Sequence, residues 1–284
     1  MEQTCSTEYG YLRQLVLGLS HNVLDSSRDY LFHARLTKIL RNQGMTQIGE
    51  LVRHLQTRSD PQLEREIAEA MTINETSFFR DSRPFDLLRN ELLPPMINAR
   101  RRTRSLRFWS AACSSGQEAY SIAMLMREFF PLLVGWDIRI EGTDISAPVV
   151  ARAKAGRYHR IEMNRGLPAR FVIKYFNRIG EDWEIDPEVS TMCNFRQANL
   201  CSPQFPFSRV TDRFDVVFLR NVMLYFSAET RKTLLTRIHR VLEHDGILFL
   251  GASEQPADPS LWTAVLSGGT CYFKKQGTGI TQYG

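Results

Sequence analysis

Residues 106–120 read LRFWSAACSSGQEAY and decide the fold of this chain. An apolar, strand-like run leads into a loop of small residues, and a helical run beginning at Gln117 follows at once. Small residues let the backbone approach a ligand closely, and the first turn of a helix presents unpaired N–H groups. The stretch therefore predicts a strand-loop-helix ligand site. Because Gly116 is its only glycine, it lacks the G-x-G-x-x-G pattern of a dinucleotide pyrophosphate site.

Beyond this stretch, apolar strand-like runs alternate with helical ones. Strands are predicted at Ser105–Ala111, Asp137–Gly142, Phe214–Leu219, Gly246–Gly251 and Thr270–Lys274, and helices at Gln117–Phe129, Ala147–Ala155 and Ala228–His244. Such alternation is typical of a parallel, doubly wound α/β sheet that binds its ligand along one edge. The alternation breaks at about 170–197, where Phe171–Phe176, Asp182–Ile185 and Val189–Arg196 predict a small antiparallel β insertion.

The residues before the first strand predict helices and no strand. Arg28–Asn42 and a run that begins at Thr46 show helical spacing, and Asp60-Pro61 is typical of a helix start. A fourth helix is predicted from Pro84 to Leu93, ended by two prolines. We expect two domains: a helical domain over 1–88 and an α/β domain over 89–284.

Composition narrows the class of protein. The chain has 284 residues, a net charge of +5 and five widely separated cysteines, which disfavours a disulfide framework or a metal site. It shows no secretory signal and no membrane-spanning run, so we expect a cytoplasmic protein without membrane insertion. The positive charge favours an acidic partner, either nucleic acid or acidic protein helices.

An acidic residue, Asp144, ends the second predicted strand. An acid at this point can accept hydrogen bonds from both ribose hydroxyls of an adenosine. It can also cap the helix that follows. Together with the loop at 112–116 it indicates an adenosine-containing cofactor, and both NAD and S-adenosylmethionine remain open.

Three further segments discriminate between these cofactors: Asn74-Glu-Thr-Ser-Phe-Phe-Arg-Asp81, Asn199-Leu200 and Phe218-Leu-Arg-Asn-Val-Met-Leu-Tyr-Phe226. In type, order and spacing they resemble the signature segments of the CheR family of chemotaxis receptor glutamate methyltransferases. The resemblance covers nearly the whole chain. It implies a class I S-adenosylmethionine-dependent methyltransferase fold with a small helical N-terminal domain and a small antiparallel β insertion.

The resemblance also implies roles for individual residues. Those expected around S-adenosylmethionine, and its product S-adenosylhomocysteine, are Asn74, Thr76, Arg80, Glu118, Asp144, Asn199, Leu200, Arg220 and Asn221. Arg80 and Tyr225 are expected to be catalytic, Arg80 by positioning carboxylates and Tyr225 by orienting the acceptor oxygen. An ionised glutamate needs no general base, which fits the lack of an obvious Ser/His/Asp or Cys/His set.

The chain departs from the family pattern at three positions of the cofactor loop. Ala112 stands where the family usually has glycine, Gln117 where it has an acid and Ala119 where it has proline. We therefore expect weakened or retuned cofactor binding. A non-catalytic S-adenosylmethionine-binding signalling module and a nucleic-acid methyltransferase are the alternatives, and a dehydrogenase is a poor third.

The expected partner is the cytoplasmic helical domain of methyl-accepting chemotaxis receptors. We expect no nucleic-acid partner, and we expect the enzyme to be a monomer. Basic residues on the first well-defined helix, Arg28, Arg35, Lys38 and Arg41, would face its acidic helices. Arg100–Arg104, before the first strand, forms a second basic cluster that belongs either to the same surface or to a basic linker. In some family members the β insertion captures a receptor C-terminal peptide by strand addition.

Overall fold

The computed structural model describes residues 2–207, 209, 211–256 and 258–276. Contacts divide the chain into one unit of Met1–Ile73 with Leu224–Thr230, and a second of Asn74–Met223 with Arg231–Gly284. This division falls at Ile73, earlier than the domain boundary expected at residue 88. The segment Asn74–Asp81 therefore belongs to the second unit.

The first unit is built from helices. They are α1 Glu2–Ser20, α2 Tyr30–Asn42, α3 Ile48–Thr57 and α4 Pro61–Ala70. Asp60 caps α4 by accepting the N–H of Leu63 at 3.0 Å, with Pro61 at the first helical position, as the sequence predicts. The apolar faces of these helices meet in one core that includes Phe32, Leu36 and Ile67. The helical spacing of apolar residues in the sequence therefore marks the buried face of each helix.

A helical run connects the first residues of the second unit to its sheet. It consists of α5 Arg83–Leu87, a π-helical turn Leu88–Leu92, and α6 Leu93–Ala99. The prediction that Pro94-Pro95 ends the helix is wrong. The two prolines fall in the first turn of α6, where a missing N–H costs little, and the wider π turn precedes them.

The central sheet has the strand order β6-β2-β1-β7-β8-β10-β9. Its strands are β1 Ser105–Ala111, β2 Asp137–Asp144, β6 Cys193–Gln197, β7 Phe214–Leu219, β8 Leu242–Leu250, β9 Trp262–Ser267 and β10 Thr270–Lys275. The pairs from β6 to β8 are parallel, and β10 is antiparallel to both its neighbours. This confirms the predicted α/β class with a doubly wound sheet. The order reverses at β1, so a ligand crevice is expected at the carboxyl ends of β1 and β7.

The helices of this unit are α7 Gln117–Phe129, α8 Ala147–Ala155, α9 Arg160–Met163, α10 Ala169–Tyr175, α11 Pro187–Ser190 and α12 Ala228–Val241. The predicted α7 and α8 are confirmed to the residue. A core that includes Phe108, Ile122, Ile140, Val216 and Phe249 packs α7 and other helices on the sheet. No helix among the described residues combines the length and hydrophobicity that a membrane-spanning segment requires.

The β insertion is a three-stranded antiparallel sheet of order β3-β5-β4, with β3 Arg157–His159, β4 Phe176–Ile179 and β5 Asp182–Ile185. Two of its predicted strands are wrong. Phe171–Phe176 is mostly helix α10, because Phe171 and Tyr175 bury one helical face. Val189–Arg196 splits into part of α11 and β6, and β6 pairs with β2 in the central sheet.

Candidate functional site

The loop between β1 and α7 has an unusual backbone. Ala112, Ser114 and Gly116 all adopt positive φ angles, of 62°, 49° and 92°. A Cβ on Gly116 would lie 3.0 Å from the Cβ of Ala153 and 3.2 Å from the Phe195 ring, so only glycine fits there. The loop thus turns sharply at the carboxyl end of β1 and leaves the start of α7 facing the crevice.

Asp144 lies beside this loop at the end of β2 and is 6% exposed. Its carboxylate accepts the backbone N–H of Ser114 at 2.9 Å and that of Ser146 at 3.0 Å. Burial raises the pKa of Asp144 above its usual value. The N-cap of α8 is Ser146, so Asp144 does not occupy the capping position. A carboxylate can accept about four hydrogen bonds, which leaves Asp144 able to bind further donors.

The segment Asn74–Asp81 is joined to the same loop. The carbonyl of Asn74 accepts the Ser114 hydroxyl at 2.7 Å, and the N–H of Phe79 donates to the Ser121 hydroxyl on α7 at 2.9 Å. Phe78 is fully buried against Tyr158, and so belongs to the core of this unit. Thr76 is half-buried in the same segment. The segment therefore forms one wall of the crevice together with the loop after β1.

Arg80 ends this segment with a half-buried side chain. Its guanidinium donates to the carbonyl of Glu75 at 3.0 Å. A guanidinium has five N–H donors, so this bond uses a small part of its capacity. Arg80 thus retains most of its donors for a carboxylate.

Arg220, after β7, ties Arg80 to the first turn of α7. Its guanidinium donates to the carbonyl of Arg80 at 2.9 Å, to Asp81 at 2.7 Å and to Glu118 at 3.1 Å. Ser110 donates to the other carboxylate oxygen of Glu118 at 2.7 Å. Only 3% of the Arg220 side chain is exposed. Buried charges are stable when paired in this way, so the three residues form one electrostatic unit.

Asn199 and Leu200 follow β6. Ala198 donates its N–H to the carbonyl of Asp144 at 2.8 Å, which sets this segment beside the acid. The side-chain oxygen of Asn199 accepts the N–H of Cys201 at 2.9 Å, and Leu200 is 6% exposed. These contacts bring Asn199 and Leu200 to the same edge of the sheet as Asp144.

Asn221 adopts a left-handed φ of 60° after β7, and sequence reasoning missed the residue that holds it. Glu254 accepts the N–H groups of Asn221, Met223 and Gly251, each at 2.7 Å. Glu254 is 6% exposed. The sequence did offer a signal for Glu254: an acid three residues after Gly251, the glycine that follows β8. The side-chain oxygen of Asn221 is buried without a partner in the described structure.

Gln117, expected to remove a negative charge from the site, is 2% exposed and accepts the Ser115 hydroxyl at 2.9 Å. Its amide lies 3.4 Å from a carboxylate oxygen of Glu162, a residue that sequence reasoning also missed. Arg152 pairs with Glu162 at 2.9 Å. An acid at position 117 would face the carboxylate of Glu162, so the amide matches its neighbour.

Tyr225 belongs to the first unit, in the segment Leu224–Thr230. It lies in a 3-10 turn, and its carbonyl accepts the N–H of Val23 at 2.8 Å. The other expected site residues all belong to the second unit. Within the described part of the chain, no group of three or more His, Cys, Asp or Glu side chains has the arrangement of a metal site.

Comparisons with known proteins identify the family of this chain. The family described as CheR methyltransferase, SAM binding domain, matches residues 74–268. A chemotaxis protein methyltransferase 1 from Pseudomonas aeruginosa is 42% identical over 236 residues, which cover 82% of this chain and 84% of that one. The chemotaxis protein methyltransferase of Escherichia coli is 33% identical over 235 residues, covering 81% of this chain and 77% of its own.

Among solved structures, a TehB-like SAM-dependent methyltransferase from Corynebacterium glutamicum is similar, with 15% identity and a TM-score of 0.36. The similarity covers 69% of this chain and 96% of that one. The family match covers most of the second unit, including the loop after β1 and Asp144, and the cofactor is therefore S-adenosylmethionine. With that match and relatives similar over four-fifths of its length, the chain belongs to the CheR family of methyltransferases that act in chemotaxis.

Proposed function

We propose that this protein transfers a methyl group from S-adenosylmethionine to glutamate side chains of chemotaxis receptors and forms glutamyl methyl esters. Arg80 is the observation that carries the proposal. Its half-buried guanidinium donates to the carbonyl of Glu75 and keeps most of its donors. Its backbone carbonyl is held by Arg220, which also pairs with Glu118. A guanidinium in this position suits a carboxylate ligand, because its planar donors match two oxygens at once.

The residues of the second unit fit the cofactor. We assign the ribose hydroxyls to Asp144, and the surroundings of the adenine to Asn199 and Leu200. The unpartnered oxygen of Asn221 is an acceptor suited to an ammonium group. Asn74, Thr76, Glu118 and Arg220 complete the set by surrounding the cofactor. When bound, S-adenosylmethionine supplies an electrophilic methyl group on a positively charged sulfur.

The chain's own part in the reaction is positioning. A glutamate carboxylate is ionised at neutral pH, so no side chain has to remove a proton. Attack by an anion on a cationic centre disperses charge, so an arginine on the nucleophile would stabilise the reactants more than the transition state. We therefore assign Arg80 to holding carboxylates in place. Correct orientation of reactants alone can contribute about 7–11 kcal/mol.

Tyr225 is proposed to orient the acceptor oxygen through its hydroxyl, a role that rests on the family resemblance. We expect Tyr225→Phe to lower kcat while the dissociation constant for S-adenosylhomocysteine stays within about twofold, because the hydroxyl acts on the acceptor alone. Steady-state kinetics and calorimetry measure the two quantities. Equal losses in both would contradict the role.

We further propose that the enzyme acts in the cytoplasm as a monomer, and that its first unit recognises the acidic helices of the receptor. Lys38 and Arg41 are exposed on α2 and supply positive charge there. β3 and β4 are the two edge strands of the small sheet, and an extended receptor peptide could add to either one.

The test is incubation of the protein with a labelled methyl donor and membranes that contain a chemotaxis receptor. We expect label on the receptor that alkali releases, since carboxylate esters hydrolyse in base. Membranes in which the receptor glutamates are replaced by alanine are the matched control.

Two outcomes would replace the proposal. Binding of S-adenosylhomocysteine without any methyl transfer indicates a non-catalytic sensing module. Alkali-stable label on added RNA, with binding that weakens steeply in salt, indicates a nucleic-acid methyltransferase.

A further inference from the structure

A cavity of about 750 Å³ lies in the second unit, against the hairpin of β9 and β10. On β9, Trp262, Ala264 and Leu266 alternate along the strand and therefore share one face. Cys271 pairs with Leu266 and Phe273 with Ala264, so both strands line the cavity with apolar groups. Leu266 is 77% exposed. Such an exposed apolar wall in a concave site is a feature of ligand pockets.

Four charged residues also line the cavity, and three of them are already bound within the protein. Asp81 pairs with Arg220 at 2.7 Å, and the carboxylate of Glu254 accepts three backbone N–H groups. Arg83 differs from them. It is exposed, lines the cavity near Gly269, and has no hydrogen bond or ion pair with any residue that the structure describes. The cavity therefore combines apolar groups of β9 and β10 with one cation that has no ion pair among the described residues.

We propose that this cavity is a second ligand site, for a small amphipathic carboxylate with an aromatic or aliphatic body. The volume falls within the roughly 300–1,000 Å³ of small-molecule sites. The body would lie on Ala264 and Leu266, which are exposed on β9, and the carboxylate on the guanidinium of Arg83. Gly116, Asp144 and Asn199 do not line this cavity, so the site is separate from the nucleoside end of the cofactor site. Arg220 lines it, so the cavity adjoins the opposite, methionine end of the proposed cofactor site.

The experiment is calorimetry on the full chain with 2-naphthoate and its uncharged amide, 2-naphthamide. Saturating S-adenosylhomocysteine is present throughout, so that binding reports on the second site alone. We expect both probes to bind, with 2-naphthoate about three- to fivefold tighter because the ion pair with Arg83 is partly exposed. No binding of 2-naphthoate would overturn the proposal, and equal affinities would overturn the anionic class of ligand.

Variants then locate the probe. Arg83→Gln should remove the preference for 2-naphthoate, and Ala264→Trp should fill the cavity and weaken both probes more than tenfold. Thr263→Trp is the matched control, because the neighbouring side chain on β9 points to the other face. Bound 2-naphthoate should also slow alkylation of Cys271. Unchanged affinity in Ala264→Trp, with unchanged binding of S-adenosylhomocysteine as proof of folding, would place the probe elsewhere and overturn the site.

Discussion

At the scale of single residues, Ala112 is a departure from the family pattern whose cost the backbone makes clear. Glycine is usual at this position in the family that the chain resembles, and here the backbone is left-handed with a φ of 62°. An L-residue in this conformation costs roughly 1–2 kcal/mol, and glycine avoids that cost. The alanine therefore strains the cofactor loop without preventing its turn.

Replacement of Ala112 by glycine should raise the free energy of unfolding by about 0.5–1 kcal/mol. Relief of the left-handed strain exceeds the roughly 0.4–1 kcal/mol that glycine adds to the entropy of the unfolded chain. Ala111→Gly is the matched control, because the adjacent alanine lies in β1, where glycine costs about 0.5–1 kcal/mol. Urea denaturation measures both, and a loss of stability in both variants would show that position 112 is unstrained.

Asp144→Asn should weaken the binding of S-adenosylhomocysteine by about 10- to 100-fold. The amide loses charge-assisted hydrogen bonds worth roughly 1.5–3 kcal/mol and can turn an N–H toward the donor of Ser114 or Ser146. Asp137→Asn is the control at the other end of β2, where the carboxylate forms surface ion pairs with Arg107 and Arg139. Calorimetry compares the two. Similar affinities in both variants would remove Asp144 from the site.

At the scale of secondary-structure elements, Glu254 joins the carboxyl ends of β7 and β8. Three N–H groups from the two strand ends point at one buried carboxylate. Gly251 allows this approach, because a Cβ there would lie 2.6 Å from the Glu254 carboxylate and 3.0 Å from the Asn221 nitrogen. The clamp holds Asn221 in its left-handed turn at the crevice.

Glu254→Gln should lower the free energy of unfolding by about 1–3 kcal/mol and weaken the binding of S-adenosylhomocysteine. The amide oxygen of glutamine can still accept hydrogen bonds. The amide NH₂ group is a donor, so it would face backbone N–H groups that are also donors and leave them without an acceptor. Glu181→Gln, in the exposed turn between β4 and β5, is the control. Urea denaturation measures the free energy of unfolding, and calorimetry measures the affinity for S-adenosylhomocysteine. If both quantities in Glu254→Gln equal those in Glu181→Gln, the proposed role of Glu254 is wrong.

A second junction joins α6 to the amino-terminal ends of the sheet. Arg100, just after α6, donates to Asp215 on β7 at 2.8 Å and to Asp245 on β8 at 2.5 Å. Asp215 is 4% exposed and also accepts the N–H of Arg107 at 2.8 Å. Arg100, the first residue of the basic cluster that the sequence shows before β1, is a structural residue that pairs with carboxylates.

Arg100→Ala should lower the free energy of unfolding by about 3 kcal/mol near pH 7, because it leaves the buried carboxylate of Asp215 without its cation. The neighbouring exposed Arg101→Ala should cost less than about 0.5 kcal/mol. Denaturation of both variants measures the difference, and equal stabilities would show that Arg100 is dispensable.

The deficit of Arg100→Ala should shrink as the pH falls. Burial raises the pKa of Asp215 in the folded protein, and loss of Arg100 raises it further. The folded variant then binds a proton more readily than the unfolded chain, so its stability rises as the pH falls through that pKa. Arg100 also lowers the pKa of Asp245, a contribution that is lost in acid. A deficit that grows in acid would contradict this account.

At the scale of the whole molecule, the basic residues expected to face the receptor differ in their contacts. The chain has 36 Lys and Arg against 31 Asp and Glu. Of the basic residues expected to face the receptor, Arg35 donates to the carbonyl of Thr72 at 2.7 Å and Arg28 lies 3.7 Å from Asp25. These contacts hold the two side chains against their own unit, and Lys38 and Arg41 remain exposed on α2.

Sequence alone determined the α/β class, the positions of α7, α8, β1 and β7, and the segments that identify the family. Each of these depends on periodicity or spacing within a short stretch, which the order of residues records directly. The short β3 and β4 were not predicted, because they carry little apolar pattern of their own. The edge strand β9 was also not predicted, although Trp262, Ala264 and Leu266 alternate along it.

Which charged groups pair depends on the tertiary structure. Arg220 meets Glu118, Arg100 meets Asp215, and Glu254 meets the turn after β7, all between residues far apart in the chain. Such pairs form because parallel strands bring their ends to common edges of the sheet, and burial then requires each charge to find a partner. No local pattern carries that information, since a partner is chosen by strand order and register.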